Sequence, residues 1–319
     1  MSFKRLDPQE FLISTDSISA PLWSDTSSAY VAGGDLTTST AQLSSDSGRY
    51  FANAYIEGEI QFSVAYGHKD GSGSQYYYSG APGLSPTKTV YGQFRNIVYG
   101  EDENAQFNFG GYISKDFFAI VFNRSRYKQS LLPGSINLDL STILADITDN
   151  SSISTVVDYF NCGRVYKLAS GSFGDGVMPA GSANGVYGYL LPDIGTIILN
   201  PTACGLSPVT TANTDGNNPQ YLIARIAQFF MNSQESVTSN FVFIRARNAE
   251  FNYSCNPTFF GSGSGGTVVY PDFAQNPQTF ITTVGLYNDS NVLLAVAKLS
   301  KPLKKDFTKE ALIRVKLDF

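Results

Sequence analysis

The sequence predicts an all-β fold, an antiparallel β-sandwich-like scaffold with long loops and one or two helices. Three observations predict it. Runs of apolar/polar alternation recur along the chain. Clusters of Gly, Asn, Asp, Ser and Pro punctuate them, as turns between strands require. Aromatic residues make up 13% of the chain, and nearly all are Tyr and Phe, which favour strands. A length of 319 residues allows one large all-β domain or two smaller ones. The expected organisation is an N-terminal arm over 1–15, then a β-rich domain over 16–319, in one lobe or two. A C-terminal sheet module over 276–319 closes it.

The arm carries Lys4, Arg5 and Asp7-Pro8 before the apolar Phe11-Leu12-Ile13. It suits either a contact with another subunit or an edge strand of its own domain. Residues 24–48 are rich in Ser, Thr, Gly and Asp and read as a polar loop. From Phe51 to Tyr66 the alternation is clean. Ile56, Gly58, Ile60, Phe62, Val64 and Tyr66 share one register, with Gly58 its weak member, and the spacing reads as one half-buried strand. Gly71–Gly73 form a loop, and Tyr76, Tyr77 and Tyr78 stand together. Ser85-Pro86-Thr87 opens a short helix with Tyr91, Phe94 and Val98 at helical spacing.

Glu101-Asp102-Glu103-Asn104 reads as a solvated acidic turn. It lacks the spacing and glycine of a calcium loop. Phe107–Phe109, Phe117–Phe122 and Ile136–Leu140 read as strands, with Leu131-Leu132-Pro133-Gly134 as a turn. Arg124 and Arg126 are placed on one strand face, to pair with the acidic turn or with a partner subunit, and the intramolecular salt link is the expected one. Val156–Ala169 is a strand, or a hairpin turning at Asn161–Gly163. The Gly-rich 170–188 lacks a phosphate-loop pattern and reads as an exposed loop. Tyr189–Asn200 is a strand broken at Pro192-Asp193, and 201–220 is a loop. Tyr221–Glu235 reads as a helix, because Leu222, Ile226, Phe229 and Phe230 share a helical face. Phe241–Ala246 is a strand, and Gly261–Gly266 a Gly/Ser loop.

The C-terminal module is the most regular part. Phe280, Thr282, Val284 and Leu286 alternate with Ile281, Thr283, Gly285 and Tyr287. The turn formers Asn288–Asn291 follow, then the apolar Val292–Leu299, so the stretch reads as a β-hairpin. Lys298–Lys309 reads as a solvated basic loop. Ile313, Val315, Leu317 and Phe319 then face one way, with Arg314, Lys316 and Asp318 facing the other. Burial of such side chains contributes roughly 1.5–3 kcal/mol each. Deleting 313–319 is therefore expected to abolish folding.

Charged residues are only 15% of the chain and the net charge is −5, so a general nucleic-acid binder is not expected. Cys162, Cys204 and Cys255 are odd in number and far apart, which disfavours a disulfide framework and a zinc site. No signal-peptide core and no membrane-spanning window is evident, so synthesis in a reducing cytoplasm is expected. His68 is the single histidine, and no GxSxG elbow occurs. No catalytic, cofactor-binding or metal-binding residue is assigned, and no cofactor is expected. The low charge and Tyr/Phe content suit large, mildly polar protein contacts.

Several stretches resemble virion proteins of T4-like phages with contractile tails. These are SPTKTVYGQFRNIVYGEDE from Ser85, RSRYKQSLLPGSINLDL from Arg124, FNYSCNPTF from Phe251, and PQTFITTVGLYNDSNVLLAVAKLSKPLKK from Pro277, ending in IRVKLDF. Together they cover about a third of the chain. The order of hairpin, basic segment and terminal strand is similar to the small all-β wedge subunit of contractile baseplates and to fibre-attachment modules. The resemblance implies a tail or baseplate component of the virion, made in the host cytoplasm and active through contacts with other virion subunits. It implies a homo-oligomer within a symmetric assembly, with no cofactor, catalysis, nucleic acid or membrane. A neck connector and a carbohydrate-binding module, with Tyr76–Tyr78 stacking on sugars, are the alternatives.

Overall fold

A computed structural model describes residues 4–23, 30–32, 35–38, 51–71, 86–177, 183–206, 217–254, 256–260 and 267–318. Most of the 24–48 stretch, Ser72–Gly73, Tyr76–Tyr78, Ser85, residues 178–182 and 207–216, Cys255, Gly261–Gly266 and Phe319 lie outside the described residues. The fold is all-β with few helices. The chain divides into a central unit, Ser17–Glu235, and a terminal unit made of Met1–Asp16 with Ser236–Phe319.

In the segment read as an arm, a 3-10 turn at Pro8–Glu10 leads into strand β1 (Phe11–Pro21). The central unit then runs β2 (Tyr30–Ala32), β3 (Thr37–Thr38), β4 (Phe51–Ile56), β5 (Glu59–His68), α1 (Thr87–Tyr99), β6 (Phe107–Phe109), β7 (Tyr112–Ser114) and β8 (Asp116–Phe122). It continues through β9 (Ser130–Leu131), β10 (Asn137–Leu140), β11 (Ile147–Asp149), β12 (Asp158–Phe160), β13 (Gly163–Ser170), β14 (Gly188–Leu191), β15 (Thr196–Leu199), α2 (Asn217–Arg225) and β16 (Ile226–Phe230). A 12-stranded sheet has the order β2-β16-β10-β11-β13-β14-β15-β8-β5-β4-β3, with β12 paired to β13. Its registered pairs are antiparallel.

This sheet folds over on itself. Phe62 of β5 and Phe229 of β16 are far apart in strand order, yet their ring centroids are 5.8 Å apart. Trp23 and Phe122 complete the cluster, with Trp23 5.2 Å from Phe229. The second face of the same sheet buries Phe117, Ala119 and Ile198 under Val90, Tyr91, Phe94 and Val98 of α1 and under Phe107 and Phe109 of β6. Burial on both faces explains why 117–122 is a continuous apolar run and not an alternating one. It also accounts for α1, whose buried positions follow the helical spacing expected from the sequence.

The terminal unit contains β17 (Asn232–Ala246) from Ser236 onward, α3 (Asp272–Gln275), β18 (Thr279–Tyr287), β19 (Leu293–Lys305) and β20 (Ala311–Asp318). β17 lies between β1 and β20. It pairs with β20 over eight positions, from Ser239↔Asp318 to Ala246↔Ala311. Ile313 and Val315 are buried against Val242, so the terminal strand sits in a sheet as its alternation indicates.

Several sequence expectations are corrected. The stretch 51–66 is two strands, because Glu57 and Gly58 both have positive φ (50° and 84°) and make the two-residue turn of a hairpin. The helix expected over Tyr221–Glu235 stops at Arg225. Ile226 onward is strand, and its pairing with β10 slips by one residue between Asp139↔Gln228 and Leu140↔Ile226. That bulge at Ala227 puts Ile226 and Phe229 on one face three residues apart, a spacing that imitates a helix. Arg124 and Arg126 lie in a turn after β8, not on a strand face. Described parts of the Gly-rich 170–188 are packed and not simply exposed. The Gly174 N–H donates to Thr148 Oγ1 at 2.7 Å, and the Gly176 N–H to the Asp149 carbonyl at 3.0 Å. The basic segment from Lys298 is strand through Lys305, not loop.

Candidate assembly surface

Polar residues singled out in the sequence make contacts within the chain. His68 Nδ1 accepts the Asp70 N–H. Arg124 Nη1 donates to the Tyr127 and Lys128 carbonyls, and Arg126 pairs with Glu59 at 3.0 Å, an intramolecular link. Cys204 is buried, and burial pushes its thiol up. Cys162 is partly buried, and desolvation raises it as well. Burial also raises the Tyr66 hydroxyl, helped by the Asp116 carboxylate that accepts its proton at 2.9 Å. The Glu101–Asn104 turn is exposed, as expected. Among the described residues no group of three His, Cys, Asp or Glu could hold a metal ion, and no helix is long and apolar enough to cross a membrane.

Among the described residues of the terminal unit, the hairpin of β18 and β19 carries a concentration of exposed large apolar side chains. It is a two-stranded sheet by itself. Such ribbons are marginal unless one face packs. Here Ile281, Val284, Leu286, Ala297 and Leu299 pack against the Val242–Ile313–Val315 cluster. Ile281 and Val284 share that face despite odd spacing, because the ladder is irregular between Ile281↔Leu303 and Thr283↔Lys298. Pro302 sits in that irregularity, where its missing N–H leaves no ladder bond unmade. The tip is held by Asn288, whose Oδ1 accepts the N–H groups of Ser290 and Val292 at 3.0 and 2.8 Å.

The other face and the tip remain open. Leu294 is 66% exposed, Val296 58% and Val292 56%, with Leu293 and Tyr287 beside them. Gly285 lets Tyr287 lie flat there, since a Cβ at that position would meet the ring at 2.8 Å. Exposed lysines at 298, 301 and 304 flank the patch, and none has a carboxylate within 4.0 Å among the described residues. Lys305 is instead buried at the base. Its Nζ donates to the Asn248 carbonyl, Asn252 Oδ1 and the Asp306 carbonyl, each at 2.9 Å. Next to it, the Thr308 hydroxyl holds the Asp306 carboxyl below the usual range.

The alternation in 280–299 identified the hairpin but not its exposure, because VLLAVAKL reads equally well as a buried strand. The Tyr76–Tyr78 trio lies outside the described residues. No family model matches this chain, no curated protein is significantly similar to it, and no solved structure matches its fold.

Proposed function

We propose that the protein is a structural subunit of a phage contractile tail, placed in the baseplate wedge or its fibre-attachment region. It acts there through protein contacts and without chemistry. The carrying observation is the open aliphatic face of the β18–β19 hairpin, flanked on β19 by three exposed lysines with no carboxylate within 4.0 Å among the described residues. Exposed contiguous apolar surface with a charged rim is what a subunit contact needs. The sequence resemblance supplies the setting, because the hairpin is one of the stretches that resemble contractile-tail virion proteins.

The test is gold-tagged antibody against this chain on purified particles. Label at the far end of the tail supports the baseplate reading. Label at the head–tail junction replaces it with a neck connector. Particles that carry no label overturn the virion reading.

A further inference from the structure

The terminal unit carries a second exposed apolar feature, and it is aromatic where the hairpin is aliphatic. Five rings from 253–260 and 270–273 form a chain of contacts. Phe259 is 6% exposed and stacks on Phe273, with 5.1 Å between ring centroids. Tyr253 stands edge-on to Phe259 at 5.2 Å, and Tyr270 edge-on to Phe273 at 5.5 Å. Phe260 lies nearly parallel to Tyr253 at 6.2 Å. Tyr253 and Tyr270 are 56% and 58% exposed. Two tyrosines are thus braced by other rings while much of their own surface stays open.

The backbone under these rings is fixed by its own hydrogen bonds. The Phe259 N–H donates to the Asn256 carbonyl at 2.8 Å. The Val269 N–H donates to the Phe259 carbonyl at 3.0 Å, which ties the two segments together. The Phe273 N–H donates to the Tyr270 carbonyl at 3.0 Å. Rings that are already ordered lose little freedom when a ligand binds. The polar groups on these segments are almost all neutral. Asp272 is the one charged residue between Phe251 and Thr279. Asn256, Thr258, Gln275 and Asn276 are exposed and offer amide and hydroxyl groups.

Size and charge decide what such a platform takes. At roughly 150–250 Å² per aromatic side chain, the open parts of the two tyrosines come to about 170–290 Å². A stable protein contact needs about 800 Å² per partner, so the platform is too small for one. A highly charged ligand would call for several charges of the opposite sign, and these segments hold one carboxylate. A neutral sugar meets both limits. Its C–H face carries the partial positive charge that the negative face of an aromatic ring attracts, and its hydroxyls suit amides and a carboxylate. We infer that Tyr253 and Tyr270 form a stacking site for a neutral oligosaccharide, with Asp272 and the neighbouring amides as polar partners. This site is separate from the hairpin face and does not rest on its reading as a subunit contact.

The test puts the labelled full chain on an array of neutral glucose, galactose, mannose and N-acetylglucosamine oligomers, with sialylated and sulfated glycans as the charged set. The wild type is expected to bind at least one neutral member, with little dependence on salt. Tyr253→Ala with Tyr270→Ala is expected to weaken that binding about ten-fold or more. Tyr253→Phe with Tyr270→Phe, which keeps the rings, is expected to retain most of it, and so is Leu294→Ala on the hairpin. Far-UV circular dichroism checks that the variants fold. A second measurement needs no variant: the bound oligosaccharide is expected to protect Tyr253 and Tyr270 of the wild type from nitration, read by peptide mass spectrometry, while Tyr287 reacts as before. A wild type that binds no neutral glycan, binding confined to the charged set, a folded alanine variant that binds normally, or tyrosines that the ligand leaves unprotected would each overturn the inference. If the antibody labels the tail while no glycan binds, this inference fails and the virion reading stands; glycan binding without label on any particle does the reverse.

Discussion

Lys305 is a buried lysine with no carboxylate within 4.0 Å of its Nζ among the described residues. It is fully buried, and three neutral oxygens accept its protons. The lost hydration is offset only because every donor is used. Lys305→Met keeps the length of the stem but leaves those acceptors orphaned. It is expected to lower stability by about 2–3 kcal/mol, read from denaturant unfolding followed by far-UV circular dichroism. An unchanged midpoint would show that the lysine is incidental. Asp193 is a second case. Its carboxylate accepts Arg164 Nε at 3.0 Å and the Arg164 backbone N–H at 2.9 Å. Burial alone would raise it, but the Arg164 hydrogen bonds and charge outweigh that and hold it below the usual carboxylate range. A depressed native pKa stabilises above the unfolded value and is lost as pH falls through the native one. The wild type is thus expected to lose stability as pH drops below about 4. Asp193→Asn should be less stable at neutral pH and flatter in that window. Parallel pH profiles would refute the role of this pair.

At the scale of elements, much of the fold is legible in the sequence where the side-chain period is undisturbed. The α1 stripe, the β12–β13 hairpin and the alternation of β20 belong to this class. The misreadings come from places where the backbone adds or turns a residue. Gly58 kept the alternation in register across a turn, so that β4 and β5 read as one strand. The bulge at Ala227 did the reverse and gave strand residues a helical spacing. Lys298–Lys304 read as loop because lysine-rich segments are usually solvated. They are solvated here as well, but on an edge of a two-stranded ribbon, where lysine also discourages unwanted pairing. The candidate surface was legible only as a hairpin. Its openness depends on what packs on each face, and no single strand's pattern carries that information.

For the whole molecule, the division into two units changes what truncation should do. From the sequence alone, loss of 313–319 is expected to abolish folding. In the structure those residues complete β20, whose pairing with β17 and whose buried Ile313 and Val315 belong to the terminal unit. The central unit has its own core, and that core contains Trp23, the one tryptophan in the chain. Trp23 is 4% exposed and packs against Phe62, Phe122 and Phe229, so its emission reports the central unit. Removing 313–319 takes away the strand that covers Val242 and, with it, roughly 1.5–3 kcal/mol for each of the two buried side chains. That is a large share of the stability of a unit this size. The truncated chain is expected to lose strand signal in the far-UV and to become protease-sensitive after residue 236, while its Trp23 emission stays blue-shifted and melts cooperatively. A red-shifted tryptophan in the truncated protein would mean that the two units fold as one cooperative body. An unchanged far-UV spectrum and melting curve would mean that β20 contributes nothing the terminal unit needs.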